Sequence, residues 1–390
     1  MRLRYRLMQL LRRHWMLGTA AFVALVSMFL VPPDGAYLGY FDWKTIGCLF
    51  CVLAVASALR LMGAFDRAAR AVIARFRRPG PLALALVLTT AVLSCAATND
   101  MALIMMLPLS AATLMGANLP RLVAPVFVLQ SLAANLCGMI APFGNPQNLY
   151  LYSYYGLGLG DFLTAMALPF ALSTAGIVAC TWWLCGQSNG SCGRDDTRSL
   201  AVPMPLSRRR LAIYGTLVAL TLLAVFRIAP VAAAVAVVAA ALAALDRRAL
   251  AAVDWGLLAT FACFFVFAGN LARVPEVSAW LSPLMADHGL LVSAGLSQII
   301  SNVPAAVLLS HFTGTWQPLL VGVNIGGAGT LVGSLASLIT LQHFTSVRKI
   351  FPRATALPEL STGRFLALFS VLNFGFLAIL LIACGMASSF

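Results

Sequence analysis

The sequence predicts an all-α polytopic membrane protein with inverted repeats, two re-entrant helical hairpins and two broken transmembrane helices. Three observations predict this fold class: the composition, a series of apolar segments of membrane-spanning length, and a pattern of polar breaks that occurs twice. Of the 390 residues, 61% are hydrophobic and 10% are charged. A soluble domain carries about 45–50% apolar and about 25% charged residues. The composition therefore excludes a soluble enzyme and a soluble DNA-binding domain.

A transmembrane helix needs about 20 mainly apolar residues. Full-length spans are predicted near 16–32, 44–62, 122–150, 162–185, 211–227, 229–245, 254–272, 317–342 and 365–385. Two further apolar stretches, 81–117 and 280–312, each have a polar centre between two arms that we expect to be short for spans. Non-helical backbone is tolerated at membrane depth only where it is buried in protein or lines a cavity. Both stretches are therefore predicted to be re-entrant hairpins.

The net charge of +14 is distributed unevenly along the chain. When the N-terminus is placed in the cytoplasm, the cytoplasmic segments contain all of the 26 Lys and Arg residues except Lys44, Arg227 and Arg273. This distribution follows the positive-inside rule. It predicts nine full crossings, a C-terminus on the outside, and a lipid bilayer rather than nucleic acid as the partner of the basic residues.

The predicted topology divides the chain into four parts. Residues 1–15 form a basic segment on the cytoplasmic membrane surface. Residues 16–185 form a first half with its hairpin, and residues 186–210 form a cytoplasmic linker. Residues 211–390 contain an extra span and a second half with its own hairpin.

The two halves share four features in the same order. An Asp-Trp pair begins a span (Asp42-Trp43 and Asp254-Trp255), a hairpin with Asn in its break follows, and a polar-interrupted span comes next. The interrupted spans align by pairing Asn135 with Asn324, Gly138 with Gly327, Gly144 with Gly333, Asn145 with Ser334 and Asn148 with Ser337. Because Asp42 is predicted outside and Asp254 inside, the repeats are inverted. Inverted repeats with broken helices are typical of secondary transporters with a site near the bilayer midplane.

The four breaks are the candidate substrate site. Helix ends expose unpaired N–H and C=O groups. Carbonyl and amide oxygens suit Na⁺, and helix N-termini suit an anion. No Lys or Arg is predicted at mid-depth, so hydroxyls, amides and helix N-termini would hold an anionic solute. The candidate substrate-binding residues are Thr98, Asn99, Asn145, Asn148, Ser301, Asn302, Thr330 and Ser334.

Asp100 is the one carboxylate that we place deep in the membrane. A charged Asp there costs about 2.5–3.5 kcal/mol, so we expect it to hold a cation or a proton. The candidate coupling-ion residues are Asp100, Asn99, Gly144, Asn302 and Gly333, with a Na⁺ site at Asn99, Asp100 and Asn302. The alternative is that Asp100 is permanently protonated or caps the second hairpin arm. No cofactor other than this Na⁺ is predicted.

Other polar residues are assigned no role in transport. His311 is predicted to be a packing or interfacial residue. The aromatic run Tyr150, Tyr152, Tyr154 and Tyr155 is predicted to be a belt of interface anchors. The sequence has no G-x-x-x-x-G-K-[ST] motif for ATP hydrolysis, and no buried His cluster, paired carboxylates or nucleophile motif predicts an enzyme.

Four segments resemble a known superfamily. They are TNDMALIMMLPL (98–109), GMIAPFGNPQNLYLYS (138–153), LSQIISNVPAAVLLS (296–310) and NIGGAGTLVGSLASLI (324–339). They resemble the ion transporter superfamily, which includes citrate-transporter-like, divalent-anion/Na⁺ symporter, ArsB arsenite and NhaD antiporter families. From about residue 40 to the C-terminus, the chain looks most similar to the bacterial YbiR-type anion permeases.

This resemblance implies an elevator-type transporter of the bacterial inner membrane, often dimeric, with a scaffold domain and a moving transport domain. In the divalent-anion symporters, a Ser-Asn-Thr motif at each hairpin tip helps to bind Na⁺ and substrate. Thr98-Asn99-Asp100 and Ser301-Asn302-Val303 match these motifs. Val303 lacks the hydroxyl, and Asp100 supplies a carboxylate, which favours H⁺ coupling or an antiporter-like cation site.

We therefore predict a secondary active transporter that moves a small anionic solute, a carboxylate or an inorganic oxyanion, by alternating access coupled to H⁺ or Na⁺. One alternative keeps the fold and changes the cargo, giving a Na⁺/H⁺ antiporter or an efflux permease for a neutral oxyacid such as arsenite. Another alternative is an ion channel.

Overall fold

The computed structural model describes residues 15–76, 78–186, 207–350 and 358–387, and these residues form helices with no β-strand. The helices of the first half are α1 (Trp15–Leu30), α2 (Trp43–Leu61), α3 (Ala64–Ile73), α4 (Pro79–Ala97), α5 (Asn99–Gly116), α6 (Val123–Leu132), α7 (Pro146–Tyr154) and α8 (Leu159–Cys185). A π-helical turn, Ala133–Cys137, extends α6.

The second half contains nine described helices. They are α9 (Arg208–Val225), α10 (Val231–Leu245), α11 (Arg247–Ala251), α12 (Trp255–Ala272), α13 (Pro275–Ile300), α14 (Asn302–Leu309), α15 (Trp316–Ile325), α16 (Leu335–Ile350) and α17 (Thr362–Ala387). Nearly all of the predicted interfacial segment 1–15 and most of the predicted linker 186–210 lie outside the described residues.

The described helices include seven that are long and apolar enough to cross a membrane. Six of these spans are α2, α4, α5, α8, α12 and α17, and the seventh combines α6 with its short flanking turns. Two further helices, α1 and α10, are apolar but shorter. The chain is therefore a multi-pass membrane protein, as the composition predicts. The number of crossings and the side on which each terminus lies stay predictions.

The two predicted hairpins differ in the length of their arms. Helices α4 and α5 have 19 and 18 residues, so each is long enough to span a membrane. The expectation that both arms are short is therefore wrong for the first hairpin. In the second hairpin, α13 has 26 residues with a kink at His288, whereas α14 has 8 residues. The re-entrant course of both hairpins stays a prediction.

The Asp-Trp pairs of the two halves begin equivalent helices. Asp42 accepts hydrogen bonds from the N–H groups of Lys44 and Thr45 at the start of α2, and Asp254 accepts one from Leu257 at the start of α12. Each carboxylate therefore satisfies N–H groups that lack an intrahelical partner.

Helices α2 and α12 run in opposite directions. Near the start of α2, Tyr40 lies against Gly269, which is close to the end of α12. Near the end of α2, the Ser57 hydroxyl donates to the carbonyl of Ala252, just before α12 begins. The two Asp-Trp pairs therefore lie toward opposite ends of the molecule.

An exposed ion pair joins the loop after α1 to the end of α12. Arg273 Nη2 lies 2.7 Å from Asp34 Oδ2, and Arg273 Nη1 also donates to the Tyr40 hydroxyl. The hydrogen bond from the guanidinium lowers the pKa of Asp34 below its usual value. This pair helps to hold α1 against α12.

Candidate functional site

Each hairpin turns at a single residue in a left-handed backbone conformation. Thr98, between α4 and α5, has φ 87° and ψ 150°, and Ser301, between α13 and α14, has φ 77° and ψ 155°. Positive φ is uncommon for residues other than glycine. The two tips therefore share the same unusual backbone.

Each tip is bonded to the broken span of its own half. The N–H of Asn99 donates to the carbonyl of Gly144 over 3.2 Å, and the N–H of Asn302 donates to the carbonyl of Gly333 over 3.0 Å. Gly144 and Gly333 are the residues that the repeat alignment pairs. The equivalent contacts therefore recur in both halves.

Two glycines in the breaks permit close approaches that no side chain allows. A Cβ on Gly144 would lie 2.2 Å from the carbonyl oxygen of Gly138. Gly329 has φ +118°, and a Cβ there would lie 2.1 Å from Gln298 Oε1. Only glycine fits either position.

Asn135, in the π-helical turn after α6, connects the first tip to the second half. The amide of Asn99 donates to Asn135 Oδ1 over 3.1 Å. Asn135 Nδ2 in turn donates to Ser334 Oγ over 2.8 Å and to the carbonyl of Gly327 over 3.4 Å. A Cβ on Gly327 would lie 3.1 Å from Asn302 Nδ2. The tip residues Asn99 and Asn302 therefore adjoin the same buried group of residues.

Asn324, at the end of α15, makes the reciprocal connection. Asn145 Nδ2 and Gln147 Nε2 each donate to Asn324 Oδ1 over 3.3 Å. Asn324 Nδ2 donates to Asn148 Oδ1 over 2.6 Å. All four of these side chains are buried. We call the side chains of Asn99, Asn135, Asn145, Asn148, Asn324 and Ser334 the amide network.

Thr330 and Ser301 make their hydrogen bonds within the second half, between the second hairpin tip and the loop that joins α15 to α16. Thr330 Oγ1 donates to the carbonyl of Gln298 over 2.8 Å and accepts from the N–H of Gly333. Gln298 Oε1 accepts from the N–H of Thr330 over 2.8 Å. The Ser301 hydroxyl lies 3.4 Å from the carbonyl of Gly333. The Thr330 hydroxyl is therefore already hydrogen-bonded, to Gln298 and to Gly333.

Asp100 lies in the first turn of α5 and does not cap it. The helix begins at Asn99, and the N–H of Asp100 donates to Asn99 Oδ1 over 2.9 Å. The capping alternative is therefore wrong. Asp100 Oδ1 is buried and has no hydrogen-bond partner among the described residues. A buried carboxylate oxygen without a donor is costly unless a proton or a cation accompanies it.

A cavity of about 320 Å³ lies beside the first tip. Its walls come from α2 and α9 on one side and from Cys95, Ala96 and Phe143 on the other. The lining is mainly apolar, with Thr221 and Cys95 as its polar members. The volume suits a small ligand.

The structure brings the predicted break residues together and adds others that the sequence analysis had not assigned to the site. Asn135 and Asn324 were recognised only as repeat partners, although their alignment was the signal that each could join the breaks. Gln147 and Gln298 carried the weaker signal of an amide close to a break. Asp100 has no side-chain hydrogen bond to any of the other predicted site residues in the described part of the chain.

The predicted aromatic belt is wrong for two of its four members. Tyr150 and Tyr152 are 1% and 4% exposed, and the Tyr150 hydroxyl lies 2.7 Å from Ser310 Oγ in the second hairpin. These rings therefore join elements inside the protein. His311 is half-buried and packs against Tyr154, with ring centroids 5.8 Å apart.

Comparison with known proteins places the chain among transporters. The family profile described as citrate transporter matches residues 7–318. The inner membrane protein YbiR of Escherichia coli is 32% identical over 321 residues, 81% of this chain and 84% of that protein. An uncharacterised transporter of Methanocaldococcus jannaschii is 31% identical, over 77% of this chain and 81% of its own length. A silicon efflux transporter of rice (Oryza sativa subsp. japonica) is 26% identical over 178 residues, 45% of this chain and 36% of that protein.

Proposed function

The chain belongs to the citrate transporter family of membrane transporters, and on that premise we propose that it is a secondary active transporter for a small anionic solute, driven by H⁺ or Na⁺. One observation carries the proposal. Two helix breaks from different halves meet in a buried amide network, and beside the first break Asp100 Oδ1 is buried without a donor among the described residues. Helix packing by itself explains a network of hydrogen-bonded amides. A buried carboxylate oxygen without a donor is better explained by a mobile proton or cation that binds to it.

The anionic character of the solute follows from the chemistry of the breaks. Four helices begin at them: α5, α7, α14 and α16. Their N-termini carry partial positive charge, which favours a bound anion. No Lys or Arg lies in the amide network, so the net charge of a bound carboxylate or oxyanion is balanced by these helix ends and by a co-bound cation. Citrate is the first solute to test, because the family carries its name.

Asp100 is the proposed coupling residue. With a proton on its carboxyl group or a cation beside it, the burial of Asp100 is no longer costly. When that partner leaves, the charged carboxylate is unfavourable at the same position, so the ion and the conformational change are linked. Asn99 and Asn302 adjoin the same region and supply amide oxygens for a Na⁺ ion.

The amide network supports a rigid transport unit. Asn135 and Asn324 bond the breaks of the two halves to each other, so both hairpin tips would move together. The cavity beside the first tip is walled on its far side by α2 and α9, which we assign to the static scaffold. Alternating access then consists of the unit sliding past this wall, in an elevator-type movement.

A second candidate function is proton-driven efflux of a neutral oxyacid. The absence of Lys and Arg from the amide network and the mainly apolar cavity wall favour a solute without charge, and the relative from rice is named as a silicon efflux transporter. In this case Asp100 exchanges a proton against the solute, and no anion binds.

Counterflow in proteoliposomes tests the proposal. Vesicles loaded with unlabelled citrate should accumulate labelled citrate transiently, and a pH or Na⁺ gradient should drive net uptake. Parallel vesicles loaded with silicic or arsenious acid test the second candidate. A channel conducts without counterflow, so the absence of counterflow for every solute, together with ionic conductance, would falsify the proposal.

A further inference from the structure

A second cavity, of about 470 Å³, lies at the end of the molecule where α2 begins. It is bounded by α2, α7 and the turn between α9 and α10, and its lining includes Lys44, Arg227, Tyr152 and Ser153. Arg210, Arg247 and Arg248 line a different cavity where α2 ends. The two cavities are therefore at opposite ends of α2.

Lys44 has no counter-ion among the described residues. The neighbouring carboxylate, Asp42, is engaged by the N–H groups of Lys44 and Thr45 and by the Thr45 hydroxyl. No described carboxylate lies within 4.0 Å of the Lys44 ammonium. A cation in the first turn of a helix opposes the helix dipole, so the stability of α2 does not explain this residue.

Arg227 also lines this cavity, from the turn between α9 and α10. Its guanidinium donates to the carbonyl of Tyr152 and lies 5.0 Å from the centroid of the Tyr152 ring. Its backbone has φ 61°, an uncommon conformation for a residue other than glycine. No described carboxylate lies within 4.0 Å of this guanidinium either. The Arg227 guanidinium is therefore held in one orientation, has no described carboxylate partner, and lines the same cavity as Lys44.

Arg273 provides the contrast at the same predicted side of the membrane. It is the third cation that the charge distribution places outside, and it pairs with Asp34 at 2.7 Å. Its charge is balanced, and it does not line the cavity. Of these three cations, the two that line the cavity are those with no carboxylate partner among the described residues.

We propose that this cavity is a vestibule that binds a small, multiply charged carboxylate or phosphate-like anion before transport. The proposal deepens the proposed function and rests on it for the class of solute. Two unneutralised cations attract such an anion and raise its local concentration, and the Ser153 hydroxyl offers a hydrogen bond. The cavity reaches Leu149, the residue after Asn148 of the amide network, so the vestibule lies along the same short helix as the candidate site.

The vestibule is tested by titrating citrate against the protein in phosphatidylcholine nanodiscs, with ligand-observed NMR as the measure of binding. The background is Asn99→Ala/Asn302→Ala, in which the hairpin tips are disabled, so that binding reports the vestibule. Adding Lys44→Gln and Arg227→Asn should weaken citrate binding roughly ten-fold or more, since Asn tolerates the left-handed backbone at 227. Arg273→Gln, which also removes one cation, should change binding less than two-fold.

Three results overturn the vestibule. They are the absence of citrate and phosphate binding to the tip-disabled protein at millimolar concentrations, unchanged binding in the Lys44/Arg227 variant, and an equal loss in Arg273→Gln. Phospholipid headgroups offer the same phosphate chemistry, so lipid phosphorus that remains on the purified protein is measured as well. Where the Lys44/Arg227 variant keeps its citrate binding, a loss of bound phospholipid assigns the cavity to lipid.

A counterflow experiment distinguishes a failure of the vestibule from a failure of the proposed function. Lys44→Gln/Arg227→Asn in an otherwise unchanged chain should raise the KM for citrate counterflow and leave kcat within two-fold of the wild-type value. Normal counterflow with an unchanged KM leaves the transporter in place and removes the vestibule. Citrate binding that depends on the two cations, in a chain without counterflow for any solute, removes the transporter and leaves the vestibule.

Discussion

The two hairpin tips have nearly the same backbone and different side-chain chemistry. At the second tip, Gln298 Nε2 donates to the carbonyls of Gly326 and Ala328 over 2.7 and 3.0 Å. Cys95 occupies the equivalent place at the first tip, where its thiol lies 3.5 Å from the carbonyl of Cys137. A thiol is a weak donor, so Cys95 binds the first break less firmly than Gln298 binds the second, and the Asn148 amide bonds the Met139 and Ala141 carbonyls of the first break instead.

The first break also has more unsatisfied oxygens. Asp100 Oδ1, Asn145 Oδ1 and Gln147 Oε1 are buried without a hydrogen-bond partner among the described residues. At the second tip Val303 replaces Asp100, and the Gln298 amide fills the loop. Buried acceptors without donors are places for a proton or a cation. The difference teaches that the repeat duplicates the backbone of the breaks and not their side-chain acceptors, and under the proposed function the coupling ion is therefore expected at the first copy.

Replacing Asp100 should have the largest effect. Asp100→Asn keeps the size of the side chain and removes the titratable carboxylate, so we expect gradient-driven uptake to fall by about 100-fold or more, the cost of ~2.7 kcal/mol. Exchange of solute without a gradient should persist, because the breaks remain intact. Uptake and counterflow in the same proteoliposomes measure both quantities.

Val303→Asn is the matched control at the second tip. It places the same amide at the equivalent position and should leave the ion dependence of uptake unchanged. If Asp100→Asn retains the ion dependence of the wild type, or if Val303→Asn removes it, coupling does not reside in the first copy.

Alanine at Gly144 should cause the next largest loss. Its Cβ would lie 2.2 Å from the main-chain oxygen of Gly138, whereas a Cβ on Gly333 would lie 3.1 Å from the carbonyl of Gly326. Overpacking against backbone costs about 1–3 kcal/mol and sometimes more. We expect Gly144→Ala to lower the thermal unfolding midpoint in detergent clearly more than Gly333→Ala. Equal midpoints would show that the first break relaxes freely.

The sequence predicted the positions of the breaks better than their partners. Polar residues within apolar runs are local signals, so residues near 98, 144, 301 and 333 could be found from the chain alone, and the alignment correctly paired Gly144 with Gly333. The bonds from Asn135 to Ser334 and from Gln298 to the second loop join distant segments, and they depend on how helices pack. Hydropathy also could not distinguish a buried Tyr150 from one at a membrane interface.

Removing the amide of Gln298 should have a moderate effect on stability. Gln298→Ala leaves the N–H of Thr330 and the carbonyls of Gly326 and Ala328 without this partner. An unsatisfied buried group costs about 1–3 kcal/mol. Cys95→Ala, the matched change at the first tip, removes one weak thiol contact and should cost less than about 1 kcal/mol. Thermal unfolding of both variants measures the difference, and a larger loss for Cys95→Ala would reverse the comparison.

The smallest effect should come from Asp34, an exposed carboxylate that contrasts with Asp100, whose Oδ1 is buried. Arg273 lowers the pKa of Asp34 below its usual 3.8, so the pair stabilises the fold above that value and its contribution is lost as the pH falls through the lowered pKa. The unfolding midpoints of wild type and Arg273→Gln should therefore differ slightly near pH 6 and converge in stronger acid. Lys44→Gln, which removes a cation without a described carboxylate partner, should show no such convergence. Because Asp34 belongs neither to the amide network nor to the lining of the cavity beside the first tip, Arg273→Gln should leave the pH dependence of uptake unchanged. A shifted uptake profile would mean that Asp100 is not the only carboxylate that links pH to transport.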